Sequence, residues 1–153
     1  MSDHLEKIRT LLQSAGEEIS QINTIIEMTE DSWHIELDDA ATMQIFFDAE
    51  TGRIELYAEL VKPTQEQELS VLQKLLCLQF LREESPRPRI AMDKPDGNLL
   101  CLLDLEERDM EAEKFVTSLD YFCTYVLNLC NFIRAYPEQD LSPISPTHLA
   151  LQV

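Results

Sequence analysis

A chain of 153 residues is long enough to bury the core of one domain, and its 44% hydrophobic content is typical of globular proteins. Its 29 acidic and 12 basic residues give a formal net charge of −17, which would repel nucleic acid and anionic lipid. No apolar run approaches the ~20 residues of a membrane span, and the first residues are patterned as a charged helix rather than as a secretory signal. These features predict a cytoplasmic protein with protein partners and without a nucleic-acid or membrane partner.

The four cysteines predict a reducing compartment. They lie inside apolar runs and form no CxxC pair, which favours buried free thiols over a disulfide or a metal site. Cys123 and Cys130 fall seven residues apart on one helical face and could be paired ligands, but filling of the core is the favoured interpretation. The other two are Cys77 and Cys101.

The first predicted helix begins at Asp3, with Glu6 at the capping-box position. Gly16 is its predicted end, although Ile19 would extend the apolar stripe by another turn. The stripe consists of Leu5, Ile8, Leu12 and Ala15.

Strand-like segments follow the first helix. The first is rich in β-branched residues, and the others alternate apolar and polar residues with the period of two that is typical of half-buried strands. Polar turns at Asp38–Asp39 and before Gly52 favour an antiparallel meander. The segments are Ile22–Met28, Trp33–Leu37, Met43–Phe47 and Ile54–Leu60.

A second helix is predicted after Pro63, with Thr64 as its cap and Gln67 at the reciprocal position. This helix is apolar on most sides, and such a helix is usually buried on most sides. We expect the chain's own sheet to cover one flank and a second molecule to cover the other. One face consists of Leu69, Leu72, Leu76 and Phe80, and the residues off that face are Val71, Leu75, Leu78 and Leu81.

The last predicted elements are two strands, Arg89–Asp93 and Leu99–Leu105, and a long third helix capped by Asp109. The core-facing stripe of this helix is Phe115, Leu119, Phe122, Val126, Leu129 and Ile133. Prolines and serines then mark a change of composition. The predicted division is one domain over residues 1–136 and a separate tail over residues 137–153.

The sequence predicts no catalytic residue, no cofactor and no metal site. The three histidines (His4, His34 and His148) have no spacing relation to a cysteine or an acid that would make a metal or nucleophile site. No glycine-rich phosphate loop is present. Acidic pairs such as Asp38–Asp39 could hold a divalent metal, but a solvated turn is the favoured interpretation.

Large side chains on the polar side of strands suggest a binding surface instead. Phe46 and Tyr57 fall on that side, and Trp33 opens a strand directly after an acidic turn, so we expect it to be exposed. Such a patch with an acidic rim would suit an amphipathic, poorly folded partner. The alternative, that the first or third helix covers this face, is left open.

The order of elements is a helix, three or four antiparallel strands, a helix, two strands and a helix. This α+β arrangement (α-β-β-β-α-β-β-α, with a twisted antiparallel sheet of about five strands) resembles the class I type III secretion chaperones, the family named after the chaperone of the translocated intimin receptor. The resemblance covers about Asp3 to Tyr136. It is strongest in "GNLLCLLDLEERDMEAEKFVTSLDYFCTYV", where Asp109, Phe115, Leu119 and Phe122 match the family pattern. The link "EEISQINTI" departs from the short leucine- or proline-containing link common in the family.

The resemblance implies a homodimer in the bacterial cytoplasm. Such a dimer holds the N-terminal chaperone-binding segment of one or more effectors in an extended form, without a cofactor and without catalysis. The ATPase of the secretion apparatus is a further candidate partner.

Two sets of residues are the candidates for these contacts. The predicted dimer interface consists of Leu69, Leu72, Leu76, Phe80, Leu100 and Leu102. The predicted effector-binding residues are Trp33, Ile35, Phe46, Tyr57, Leu5 and Leu12. Two other functions remain open: a regulatory or scaffold domain of the same fold, such as the YbjN-like proteins, and, least favoured, a small hydrolase or metal-dependent enzyme.

Overall fold

A computed structural model of the protein describes residues 2–81 and 87–136, except for the side chains of Ser2 and Leu81. Three α-helices and six β-strands form within these ranges, which confirms the predicted α+β class. The helices are α1 Ser2–Glu18, α2 Glu68–Leu81 and α3 Ala112–Arg134. The strands are β1 Ile22–Thr29, β2 Ser32–Leu37, β3 Thr42–Asp48, β4 Arg53–Glu59, β5 Arg89–Met92 and β6 Leu99–Leu105. The predicted tail over residues 137–153 lies outside the described residues.

The six strands form one antiparallel sheet in the order β1-β2-β3-β4-β6-β5. Consecutive strands pair from β1 to β4, which confirms the predicted meander. After α2 the chain returns to the sheet, where β6 pairs with β4 and β5 pairs with the outer side of β6. The sheet has six strands rather than about five. The difference lies before α2, where the sequence predicted either three or four strands and the structure has four.

The core lies between one face of the sheet and the helices. All six residues of the predicted α3 stripe are buried there, and α1 packs beside α3 with Ile8, Leu11, Leu12 and Ala15 buried. Burying one large apolar side chain stabilises a fold by about 1.5–3 kcal/mol. The two helices are therefore held firmly on this inner face, and the opposite face of the sheet is the outer face.

Helix α1 continues through Gly16, so the prediction that Gly16 ends the helix is wrong. The backbone N–H of Ile19 donates to the carbonyl of Ala15 at 2.8 Å, and the Ile19 side chain is buried. A Cβ atom at Gly16 would lie 3.2 Å from Cδ1 of Ile25 on β1. Glycine at this position therefore lets α1 lie close to the edge of the sheet.

The predicted caps of α2 and α3 start turns rather than helices. The Gln67 N–H donates to the Thr64 carbonyl at 3.0 Å, and α2 begins at the next residue. The Asp109 carboxylate accepts a hydrogen bond from the Glu106 N–H at 2.9 Å and closes a 3-10 turn over Glu107–Asp109. Helix α3 begins three residues later, because a capping box can close a short turn as well as a helix.

Three of the four cysteines are buried, and the prediction is wrong for Cys77, which is exposed on α2. Cys123 lies in the core with its Sγ 3.8 Å from Sδ of Met43. Burial in apolar surroundings raises the pKa of the Cys123 thiol to about 12, and the charge of Asp120 adds to this rise. The pKa of Cys130 is also raised by burial.

This arrangement predicts one fast-reacting thiol in each chain. The raised pKa lowers the thiolate fraction of Cys123 at neutral pH, and burial also blocks the access of a reagent. A chromogenic disulfide reagent should therefore titrate Cys77 first and the other three thiols only after denaturation. Cys77→Ser is expected to abolish the fast phase. A fast phase of more than one thiol in the native protein would contradict this burial pattern.

Candidate protein-binding surfaces

The described part of the chain offers little chemistry for catalysis. None of its histidine, cysteine and acidic side chains gather into a group that could hold a metal ion. His34 is engaged on the outer face of the sheet, where its Nδ1 lies 2.6 Å from Nε2 of Gln44. Asp38 and Asp39 lie in an exposed 3-10 turn. Within residues 2–81 and 87–136, no helix has the length and apolar composition needed to cross a bilayer.

Helix α2 carries an exposed apolar surface, which we call the α2 ridge. Leu69, Leu76 and Phe80 are 70%, 67% and 85% exposed, and Leu72 beside them is half-buried. The opposite side of the helix packs into the core through Val71, Leu75 and Leu78. Contiguous exposed apolar side chains of this size are typical of protein–protein interfaces.

Gln79 fixes the orientation of the α2 ridge. Its side-chain amide donates to the Pro88 carbonyl at 3.1 Å, and its Oε1 accepts from the Ile90 N–H at 3.0 Å. One side chain thus bonds α2 to the start of β5. The ridge is therefore part of a rigid surface at this edge of the sheet.

The predicted interface residues separate into two places. The four α2 residues share the ridge, whereas Leu100 and Leu102 lie on β6, where β5 separates them from the outer edge of the sheet. Leu100 pairs with Ala91 and is already buried within its own chain, while Leu102 is half-buried. Leu100 therefore offers little surface to a second molecule.

The outer face of the sheet bears the second apolar surface. Phe46 on β3 is 46% exposed there. Tyr57 on the neighbouring strand β4 is half-buried and pairs with Gln44, two residues before Phe46. The apolar stripes of α1 and α3 belong to the core on the inner face. Phe46 and Tyr57 were predicted either to form a binding surface or to be covered by the first or third helix. The second alternative is therefore wrong.

The other predicted effector-binding residues lie deeper than expected. Trp33 is only 2% exposed, so the expectation that it is exposed is wrong, and Ile35 and Leu12 are also buried. Trp33 belongs to the same alternation as Ile35 and Leu37, which places it on the inner face. Leu5 is half-buried against the core.

Strand β1 exposes two apolar residues that were not predicted as site residues, Ile26 and Met28. β1 pairs with β2 alone, so its outer edge is unpaired in the described structure. Its register with β2 is regular over Thr24–Glu27 and shifts on either side. A signal was present in the sequence, since Ile25 and Ile26 are adjacent and cannot both face the core.

The only charged residue of β1 is already neutralised. The Glu27 carboxylate lies 2.8 Å from Nη2 of Arg9 on α1, and this hydrogen bond lowers the pKa of Glu27. Native edge strands are commonly protected from pairing by free charges or prolines. β1 has no free charge and no proline, and its irregularities are limited to the register shifts at its two ends.

The fold is similar to that of chains in two solved protein complexes. A chain in the structure of the HopA1–SchA chaperone–effector complex matches with a TM-score of 0.59 and 13% identity, covering 91% of this chain and 98% of that chain. A chain in the crystal structure of the ExsC–ExsE complex matches with a TM-score of 0.57 and 14% identity, covering 84% and 94%. No family model and no curated protein matches the sequence. The protein thus has a class I type III secretion chaperone-like fold, as the sequence resemblance predicts.

Proposed function

We propose that this protein is a type III secretion chaperone that acts in the bacterial cytoplasm as a homodimer. It holds the N-terminal chaperone-binding segment of a secreted effector in an extended form, keeps that segment soluble, and catalyses no reaction. The observation that carries this proposal is the position of large apolar side chains outside the core, on the α2 ridge and around β1, in a chain with a chaperone-like fold. The ATPase of the secretion apparatus remains a predicted partner.

The α2 ridge is the proposed dimer interface. A two-fold axis beside α2 would bring the same four side chains of both copies together in an isologous contact. Full burial of Leu69, Leu76 and Phe80 is worth about 1.5–3 kcal/mol for each side chain before the cost of association is subtracted. The ridge is therefore the part of the described surface with the most to gain from a second copy.

The β1 edge is the proposed cargo site. An extended segment can add a strand along Thr24–Glu27, where the register is regular and the backbone groups are free to pair. Side chains of such a segment would then lie over Ile26, Met28 and Phe46 on and beside the outer face. Ordering the segment costs about 2–5 kcal/mol, which keeps binding reversible.

Dimerisation and cargo binding reinforce each other in this arrangement. The dimer presents the β1 edge twice, so one long segment can engage both copies at a raised effective concentration. Because α2 and β1 lie at opposite edges of the sheet, the ridge can be sealed while the cargo edge stays free. The net charge of −17 favours the solubility of the complex.

Ile26→Ser is expected to weaken binding of an unfolded effector segment about tenfold, because it removes an exposed aliphatic side chain that the cargo would bury. Thr117→Ser is the control, since Thr117 is exposed on α3, away from the β1 edge, and its substitution should leave affinity unchanged. Calorimetric titration with the purified N-terminal segment of a candidate effector measures both. Equal loss in the two variants, or in neither, would place the cargo elsewhere.

The function itself is tested by the state of the bound partner. Complexes are assembled with effectors encoded beside this chain and are then digested with a protease. The proposal expects one effector segment of low secondary-structure content to be protected, and it expects the same segment to bind when it is isolated. Binding only to an intact, compact partner would favour the regulatory or scaffold alternative.

A further inference from the structure

Basic side chains gather in one cleft of this acidic protein. Five of its 12 lysines and arginines line a cleft of about 550 Å³. They are Arg53, Arg87, Arg89, Arg108 and Lys114. An even spread would not place so many of the rare basic residues together in a chain of net charge −17.

The sheet topology brings these residues to one end of the molecule. Arg53 opens β4, and the start of β4 pairs with the end of β6, where Ile54 lies opposite Leu105. Arg89 opens β5 on the other side of β6. Arg108 lies in the 3-10 turn after β6, and Lys114 lies in the first turns of α3.

Three acids line the same cleft, and each has a partner within the chain. Arg89 Nη2 lies 3.1 Å from Asp104, and Arg108 Nε lies 3.2 Å from Glu106. The Asp109 carboxylate accepts the backbone N–H of Glu106. Five bases against three acids leave a formal excess of two positive charges. The two ion pairs are largely solvent-exposed, so they are weak and can rearrange around a ligand.

Arg53 and Arg87 are the arginines of the cleft that form no ion pair within the described part of the chain. Asp48 lies opposite Arg53 in the β3–β4 register. Its carboxylate is hydrogen-bonded to the Thr51 hydroxyl at 2.8 Å and the Glu50 N–H at 2.9 Å, and these bonds, with a smaller contribution from the charge of Arg53, lower the pKa of Asp48. Guanidinium groups whose N–H donors are not bonded to a carboxylate are suited to binding one through two parallel hydrogen bonds.

An apolar surface adjoins the basic cleft. A second hollow of about 300 Å³ shares Arg53, Arg89 and Asp104 with the cleft and is also lined by Phe46 and by two further acids, Asp48 and Glu55. The two hollows together are lined by five basic and five acidic residues, so the excess of positive charge belongs to the cleft alone. A ligand that spans both hollows would therefore place its negative charges in the cleft and an uncharged apolar group on Phe46, which is exposed on the outer face.

We propose that this cleft binds a short acidic segment of a partner polypeptide, with an apolar residue of that segment resting on Phe46. Carboxylates suit the arginines, and the adjoining aromatic surface favours a peptide over a bare anion. A long polyanion such as nucleic acid would leave the cleft and meet the negative field of the rest of the molecule. The basic cleft is distinct from the α2 ridge and from the edge of β1, although Phe46 beside the cleft also belongs to the surface proposed for cargo, and the binding proposed here does not depend on a role in secretion.

The test is fluorescence anisotropy on the full chain with a labelled peptide of one leucine and four glutamates. The glutamine counterpart of this peptide should bind at least about tenfold more weakly, and added salt should weaken binding of the glutamate peptide. The double variant Arg53→Gln/Arg87→Gln should weaken binding about tenfold or more. The control Lys7→Gln/Lys94→Gln removes the same charge outside the cleft and should change affinity by less than about twofold.

Three results would overturn the proposal. They are equal affinity for the two peptides, equal affinity of the cleft and control variants, and displacement of the peptide by inorganic phosphate or oligothymidine at lower concentrations than by unlabelled peptide. The last result would indicate a small-anion or nucleic-acid site instead. No effector is present in this assay, so its outcome is separate from that of the proposed secretion function.

Discussion

Leu76→Glu is expected to convert the proposed homodimer into a monomer with an intact fold. Leu76 is 67% exposed in the single chain, so the substitution costs the protomer little. In the dimer it would bury a carboxylate beside its own symmetry mate, a penalty on the order of 3–5 kcal/mol. Light scattering is expected to give twice 17.7 kDa for the wild type and 17.7 kDa for the variant.

Ser70→Glu is the matched control for this experiment. Ser70 is an exposed polar residue of the same helix, about 100° around the helix axis from Leu69, and the substitution adds the same negative charge without removing an apolar contact. This variant should remain a dimer at ordinary ionic strength. A Leu76→Glu protein that keeps the dimer mass would remove the α2 ridge from the interface.

Trp33→Ala is expected to destabilise the fold by about 3–5 kcal/mol, because it empties a large buried site on the inner face of β2. Trp33 lies directly opposite Glu27 in the β1–β2 register, so the pairing of these two strands should loosen as well. Chemical denaturation measures the loss, and the melting temperature should fall by about 10 °C.

Phe46→Ala is the comparison that separates the two faces of the sheet. Trp33 pairs with Ile45 of β3, and Phe46 is the next residue of that strand. Phe46 therefore points to the outer face, where it is half-exposed. Its loss should cost about 1 kcal/mol or less in stability and should weaken cargo binding. If Trp33→Ala melts like the wild type, the assignment of the two faces is wrong.

Much of the fold could be predicted because its elements have regular periods. The α3 stripe and the alternation of β2, β3 and β4 each bury one face against a single core, so pattern and packing agree. Trp33 shows the limit of a local interpretation. Its place after an acidic turn suggested exposure, whereas its spacing from Ile35 and Leu37 already placed it on the inner face.

Helix ends were less predictable, because they depend on contacts that are distant in sequence. Gly16 serves the close approach of α1 to Ile25 rather than the end of the helix. Thr64 and Asp109 have residue types typical of caps, but they close turns ahead of α2 and α3.

One of the candidate surfaces could be predicted from the sequence, and the others could not. The exposed side of α2 could be predicted, since a helix that is apolar all round has more apolar surface than one sheet can cover. The exposure of Ile26 and Met28 depends on β1 being an edge strand, which follows from the strand order. The basic cleft depends on β4, β5, β6 and α3 meeting at one end, and no spacing in the sequence indicates that arrangement.

Backbone hydrogen exchange along β1, with and without an unfolded effector segment, tests the proposed mode of cargo binding most directly. If the cargo adds a strand to this edge, amides within Thr24–Glu27 that exchange freely in the unbound protein should become protected, while those of β3 and β4 at the centre of the sheet should change little. Saturating amounts of a tightly bound segment that leave exchange along β1 unaltered would contradict strand addition at this edge.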